Sequence, residues 1–279
     1  MNQEILKGAA MAEWVSGNQS VRIIENKEIA SGIYSLKLNA PEIAAASSSG
    51  QFINLYLENG LNLLPRPISI ADADAGKGIV TLVFAVVGSG TEIIAGFKEG
   101  KIVRVLGPLG KGYDLEFAAG RSVLLVGGGL GIPPLAYAAR GLNALPDTKV
   151  TAILGYRDDA FYSNEFKDFT DAVYAISETD GAVDIKFGQT GNVIDLLDHI
   201  DKNNAMIFSC GPAPMLKAVY DWADARGIPT QLSLEARMGC GYGVCVGCTV
   251  RIREKSGAII RRKVCAAGPV FKGDELVWK

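Results

Sequence analysis

Three cysteines and four glycines fall within thirteen residues, MGCGYGVCVGCTV at 238–250, and a fourth cysteine follows in KVCAAGPVF. Cys240, Cys245, Cys248 and Cys265 are spaced C-x4-C-x2-C-x16-C. This is the ligand pattern of a plant-type [2Fe–2S] cluster. Three thiolates from one loop must wrap a compact cluster. Gly239, Gly241, Gly243 and Gly247 let the backbone approach it and turn N–H groups toward sulfur. A structural zinc site is the alternative, although zinc usually takes paired C-x2–4-C units and Cys265 has neither thiol nor histidine beside it. The only histidine, His199, lies in another predicted helix and reads as a surface or packing residue. Four of the five cysteines in one C-terminal stretch point to a metal site in a reducing compartment, the cytoplasm.

The 279 residues suit two domains and a small module. A net charge of −2 gives no field favouring nucleic acid or an anionic membrane. The start, MNQEILKGAAMAEW, has no apolar run of signal-peptide or membrane-span type. Residues 1–19 read as an extension. Residues 20–118 carry short alternating runs bounded by Gly, Pro or Asn, the pattern of a closed antiparallel barrel. Within them APEIAAASSSG reads as a loop, and TEIIAGFKEG as a helix with Thr91 as N-cap and Gly100 past its end. Residues 119–235 alternate strand and helix, predicting a parallel-sheet α/β domain. Residues 236–279 form the cysteine module. It includes the basic stretch RIREKSGAIIRRK, read as a hairpin turning at Ser256–Gly257. That hairpin is either a solvated surface or a docking element.

VLLVGGGLGIPPL sets Gly127, Gly128, Gly129 and Gly131 between a buried strand and a helix that opens at Ile132 and Pro133. A turn of this kind brings backbone N–H groups and a helix N-terminus against a pyrophosphate. The next strand ends at GYRDD, where Asp158 could accept from a ribose 2′-hydroxyl and repel a 2′-phosphate. That favours NAD over NADP, while Arg157 argues the other way. Cys210 ends another predicted strand and Gly211 follows it, at the carboxyl edge where doubly wound sheets bind ligands; a small buried residue is the alternative for Cys210.

In the barrel, PRPISI offers Arg66 as a cation and Ser69 as a hydroxyl on an extended segment. Gly90 and Thr91, in VVGSGTE, add N–H groups at a second glycine loop. Two anion-binding elements on one barrel indicate a nucleotide.

In order, RPIS, GSGT, GPLGKGY, GGGLGIPPL, SCGPAPML and EARMGCGYGVCVGC resemble the ferredoxin–NADP reductase superfamily. Within it the chain is most similar, from about residue 20 onward, to the electron transfer subunits of NAD-dependent (class B) dihydroorotate dehydrogenases. The resemblance implies FAD on the barrel, held by Arg66, Pro67, Ile68, Ser69, Val83, Phe84, Ala85, Gly90 and Thr91. It implies NAD(H) on the α/β domain and a [2Fe–2S] cluster on Cys240, Cys245, Cys248 and Cys265. The chain departs from the family pattern at Ala85 and at Ala266–Ala267. No side chain is expected to act as a catalytic acid or base, because the cofactors relay the electrons. The implied partner is an FMN-containing catalytic subunit that converts dihydroorotate to orotate in pyrimidine biosynthesis, in a heterotetramer. Rival readings are a reductase subunit of a hydrogenase or an NADH–ferredoxin reductase, an electron carrier without NAD chemistry, and a non-redox nucleotide-binding module with structural zinc.

Overall fold

The structure is a computed structural model and describes residues 18–57, 63–179 and 190–278. The predicted extension 1–19 lies outside the described residues except for Asn18 and Gln19, which begin the first strand.

Six strands close an antiparallel barrel: β1 (Asn18–Ala30), β2 (Ile33–Asn39), β3 (Phe52–Tyr56), β4 (Arg66–Asp74), β5 (Ile79–Ala85) and β6 (Ile102–Leu109). Their spatial order is β1-β2-β5-β4-β3-β6. Alternate side chains fill the interior, where Ile23, Leu36, Leu38, Ile53, Leu55, Ile70 and Leu82 are fully buried. Two expectations change. The segment after β2 contains a short helix, α1 (Pro41–Ala46), that starts on a proline needing no N–H partner and buries Ile43 and Ala44. The barrel's other helix, α2 (Ser89–Ala95), begins before Thr91 and ends at Gly96. Thr91 still closes its first turn, from the third position rather than the cap: its hydroxyl accepts from the Val87 N–H at 2.9 Å and donates to the Gly88 carbonyl at 3.0 Å. Gly100, at φ +83°, serves the turn into β6 instead.

The second unit alternates β7 (Ser122–Gly128), α3 (Ile132–Asn143), β8 (Lys149–Tyr156), β9 (Ala172–Ser177), α4 (Val193–Leu197), β10 (Ala205–Cys210), α5 (Ala213–Asp224) and β11 (Thr230–Ser233). The central strands are mostly apolar and buried through their middles because helices cover both faces. The cysteine segment contributes the hairpin β12 (Thr249–Arg253) and β13 (Ile259–Lys263), turning through Gly257 at φ +86°, then α6 (Val264–Ala267) and β14 (Val270–Lys272). β14 pairs antiparallel with β11, giving the sheet order β14-β11-β10-β7-β8-β9. The chain therefore leaves the sheet, builds the thiol loop and returns to the same sheet's edge. Three residues among glycines and a proline are too few to display a strand's alternation, so β14 is not visible in the sequence.

Candidate functional site

The fold gathers the four cysteine sulfurs in two pairs. Cys240 and Cys245 lie 3.4 Å apart, and Cys248 and Cys265 3.3 Å apart. Both separations exceed the ~2.05 Å of a disulfide, and all four thiols are free. The Cys245 N–H donates to the Cys240 sulfur at 3.3 Å, and the Gly243 N–H to the Cys265 sulfur at 3.1 Å. Gly241 and Gly243 have φ of +72° and +87°, so the loop's reversals need residues without a side chain. Burial alone would raise the Cys240 thiol, but N–H groups of Cys245, Tyr242 and Val244 outweigh it and bring the pKa to about 7. Cys265 is pushed up to about 12 by burial and by neighbouring Cys248. Among the described residues, no three His, Cys, Asp or Glu side chains surround the position of one ion. Two pairs of thiols fit a group with two metal atoms, each taking two thiolates, as a [2Fe–2S] cluster does.

The thiol loop is docked on the barrel. Phe52, Leu106 and Leu109 of β3 and β6 pack in one apolar cluster with Cys248, Val264, Cys265 and Phe271. Strand β3 divides by alternation: Ile53 and Leu55 point into the barrel core, while Phe52 and Tyr56 join the cysteine side. Asn54 shares that second face and is fully buried. Its Nδ2 donates to the Cys240 carbonyl at 2.9 Å. A Cβ on Gly241 would stand 2.5 Å from the same amide. Sequence reasoning missed Asn54; its signal was a lone amide in the otherwise apolar strand FINLY.

Next to β3 runs β4, with Asn54 opposite Pro67. Arg66 begins β4, and its guanidinium lies against Gly90 at the start of α2, so closely that any Cβ on Gly90 would overlap it. A cation and a helix's first turn thus meet at one point, as an anionic diphosphate requires. Ile68 is buried, Pro67 is exposed and Ser69 is half-buried. Val83 and Phe84 are buried and Ala85 half-buried on β5, two strands from β3. The cation and the cradle fit a flavin nucleotide.

At the carboxyl edge of the sheet, Gly127 pairs with Cys210 in register. Gly131 packs on the Cys210 carbonyl without room for a Cβ, and a Cβ on Gly128 or Gly211 would each lie 2.5 Å from the Met215 side chain. Gly129, at φ +52°, faces open space. Ile132 and Pro133 are buried at the start of α3. This glycine-lined loop at a helix N-terminus fits a dinucleotide's pyrophosphate. Asp158 is exposed just past β8, its carboxylate accepting from the Thr179 hydroxyl at 3.4 Å. Cys210 is buried, and burial pushes its thiol up to about 12. It sits with Ser233 at the sheet's edge, apart from the four clustered thiols.

Residues 235–277 match a family model described as the iron–sulfur cluster binding domain of dihydroorotate dehydrogenase B. Two curated relatives are named dihydroorotate dehydrogenase B (NAD(+)), electron transfer subunit. One, from Fusobacterium nucleatum, is 37% identical over 260 residues, covering 90% of this chain and 95% of the relative. The other, from Bacillus cereus, is 38% identical over 263 residues, covering 93% and 98%. Among solved structures, an NADH-dependent reduced ferredoxin–NADP oxidoreductase superposes with a TM-score of 0.80 at 27% identity, covering 93% of this chain and 90% of its own. A ferredoxin NADP+ reductase from Neisseria gonorrhoeae, with a TM-score of 0.60 at 16% identity over 76% of this chain and 92% of its own, shares the fold.

Proposed function

The chain belongs to the family of electron transfer subunits of dihydroorotate dehydrogenase B (NAD(+)), and on that premise we propose how its residues divide the work of an NAD-linked flavin and iron–sulfur oxidoreductase. Its cofactors are FAD, a [2Fe–2S] cluster and NAD(H). When bound, the flavin exchanges a hydride with the nicotinamide and the cluster accepts electrons one at a time.

Arg66 would neutralise the flavin diphosphate, with Gly90 leaving room for its guanidinium. Thr91 braces the turn beneath them through its bonds to Val87 and Gly88. Pro67, Ile68, Ser69, Val83, Phe84 and Ala85 line the two barrel strands assigned to the isoalloxazine. Gly127, Gly128, Gly129 and Gly131 would receive the NAD pyrophosphate, with Ile132 and Pro133 fixing the helix behind them. Gly211 and Cys210 close the loop's other wall, and Asp158 is assigned to the adenosine ribose. Cys240, Cys245, Cys248 and Cys265 would hold the two irons.

The partner in this reading is an FMN-containing catalytic subunit converting dihydroorotate to orotate, joined in a cytoplasmic heterotetramer. Among the described residues, no helix is long and apolar enough to cross a membrane. The observation that carries the reading is the docking of two thiol pairs on the barrel face beside the Arg66 strand. A site for one-electron chemistry thereby adjoins a site for hydride chemistry.

The test is anaerobic co-expression with the catalytic subunit. The purified complex should contain flavin, iron and acid-labile sulfide, and form orotate only with NAD present. A colourless chain, or one holding zinc, would overturn the reading.

A further inference from the structure

The barrel and the thiol loop meet at a hydrogen bond that neither fold requires. Asn54 lies on the outward face of β3, fully buried among Phe52, Tyr56 and the cysteine segment. One of its polar atoms, Nδ2, reaches the Cys240 carbonyl at 2.9 Å, and the other, Oδ1, has no partner. An apolar side chain of the same shape would fill the space without an orphaned oxygen, so packing alone does not call for an amide here. Gly241, the residue after the first cysteine, is pressed against the plane of that amide. On the adjacent strand β4, Asn54 pairs with Pro67, next to Arg66. The amide therefore ties the first residue of the thiol set to the strand beside the flavin motif.

We infer that Asn54 is a positioning residue: its amide fixes the Cys240–Gly241 backbone against the flavin strand and so sets the spacing over which electrons pass between flavin and cluster. The inference rests on the proposed function for its electron-transfer consequence. The hold on the loop is a separate, measurable property.

The experiment uses the full chain, purified anaerobically, with Asn54→Leu and Asn54→Asp. The first removes donor and acceptor at nearly constant shape. The second keeps the shape and, as a carboxylate, replaces the amide donor with an acceptor that bears a charge. NADH-driven reduction is followed separately at flavin and iron–sulfur absorption bands, with the electron paramagnetic resonance spectrum of the reduced cluster and amide hydrogen exchange at 239–243. In both variants NADH should bleach the flavin within twofold of the wild-type rate. Cluster reduction should slow tenfold or more, the resonance lines should shift or broaden, and the loop amides should exchange faster. Wild-type rates, spectrum and exchange in both variants would overturn the inference.

If a variant retains flavin but loses its cluster, loop exchange decides: faster exchange supports the inference and unchanged exchange defeats it. If both fail to fold, Gly241→Ala, which pushes the loop off the amide without altering the barrel interior, should give the same slow cluster phase; a wild-type phase would overturn the inference. A wild-type chain that NADH cannot bleach refutes the functional reading instead, and the exchange comparison still decides whether Asn54 holds the loop.

Discussion

Arg140 on α3 approaches Asp72 on β4 to 2.9 Å, so one guanidinium ties the helix behind the glycine loop to the strand that begins with Arg66. The same guanidinium donates to the Ala73 carbonyl at 2.6 Å. Nearby, the Tyr137 hydroxyl donates to the Ser47 carbonyl at 2.9 Å. The two proposed nucleotide sites are thus braced through one helix and one strand.

The charge on Asp72 contributes less than that geometry suggests. Burial raises its carboxyl pKa, even against the opposing pull of Arg140. A raised folded-state pKa means stability that is present below the ordinary value of about 3.9 and lost as pH rises through the folded value. Asp72→Asn should therefore change the unfolding free energy by less than about 1 kcal/mol. It should gain on wild type as pH rises across that window. Arg140→Ala should cost about 1–3 kcal/mol, because the buried Ala73 carbonyl loses its donor. Urea titrations of holoprotein from pH 4 to 7 measure both. Wild type gaining on Asp72→Asn as pH rises would refute the first expectation.

The five cysteines should separate cleanly into two chemical kinds. Serine at 240, 245, 248 or 265 should abolish stoichiometric iron while sparing FAD, and Cys210→Ser should keep both. In folded, cluster-free chain at pH 8, Cys240, with a pKa of about 7, is mostly thiolate, whereas Cys210, at about 12, is only about one part in ten thousand ionised. Iodoacetamide followed by peptide mass analysis should label Cys240 long before Cys210. Equal labelling would show the assigned environments to be wrong.

The glycine loop should respond unequally to alanine. At Gly131 the added methyl meets the Cys210 backbone, which cannot swing aside; at Gly128 it meets the flexible Met215 thioether. Gly131→Ala should raise KM for NADH tenfold or more with flavin content unchanged. Gly128→Ala should raise it only a fewfold. Steady-state NADH oxidation with an artificial acceptor gives both values, and the reverse ranking would argue against a pyrophosphate at this turn.

Asp158→Ala should narrow the preference for NADH over NADPH about fivefold or more, because the carboxylate that accepts from a ribose hydroxyl also repels a 2′-phosphate. The ratio of kcat/KM for the two nucleotides is the measurement. An unchanged ratio would remove Asp158 from the site.

Much of the proposed site is written in local signals of the sequence. Thiol spacing, a glycine run between a buried strand and a helix, and an arginine at the head of an extended segment each describe a few consecutive residues. Errors arose where local chemistry permitted two outcomes. Pro41 and the alanines after it read as loop until Ile43 found a core to enter. Thr91 reads as a cap, yet the cap lies at Gly88 and the hydroxyl reaches back to it from inside the helix. Asn54 and Arg140 were not singled out, since each takes its meaning from a partner far along the chain.

By itself the sequence determined which residues face alike and where the chain can turn: alternation assigned Ile53 and Leu55 to one face of β3, and glycine at 241 and 243 permitted the loop's reversals. Only the tertiary structure decided which faces meet. It joined Asn54 to Cys240 across 186 positions and Arg140 to Asp72 across 68. It also brought β14 back beside β11. Periodicity and backbone preference act over a few bonds, whereas these contacts follow from burying several apolar surfaces at once, and that choice is made by the whole chain.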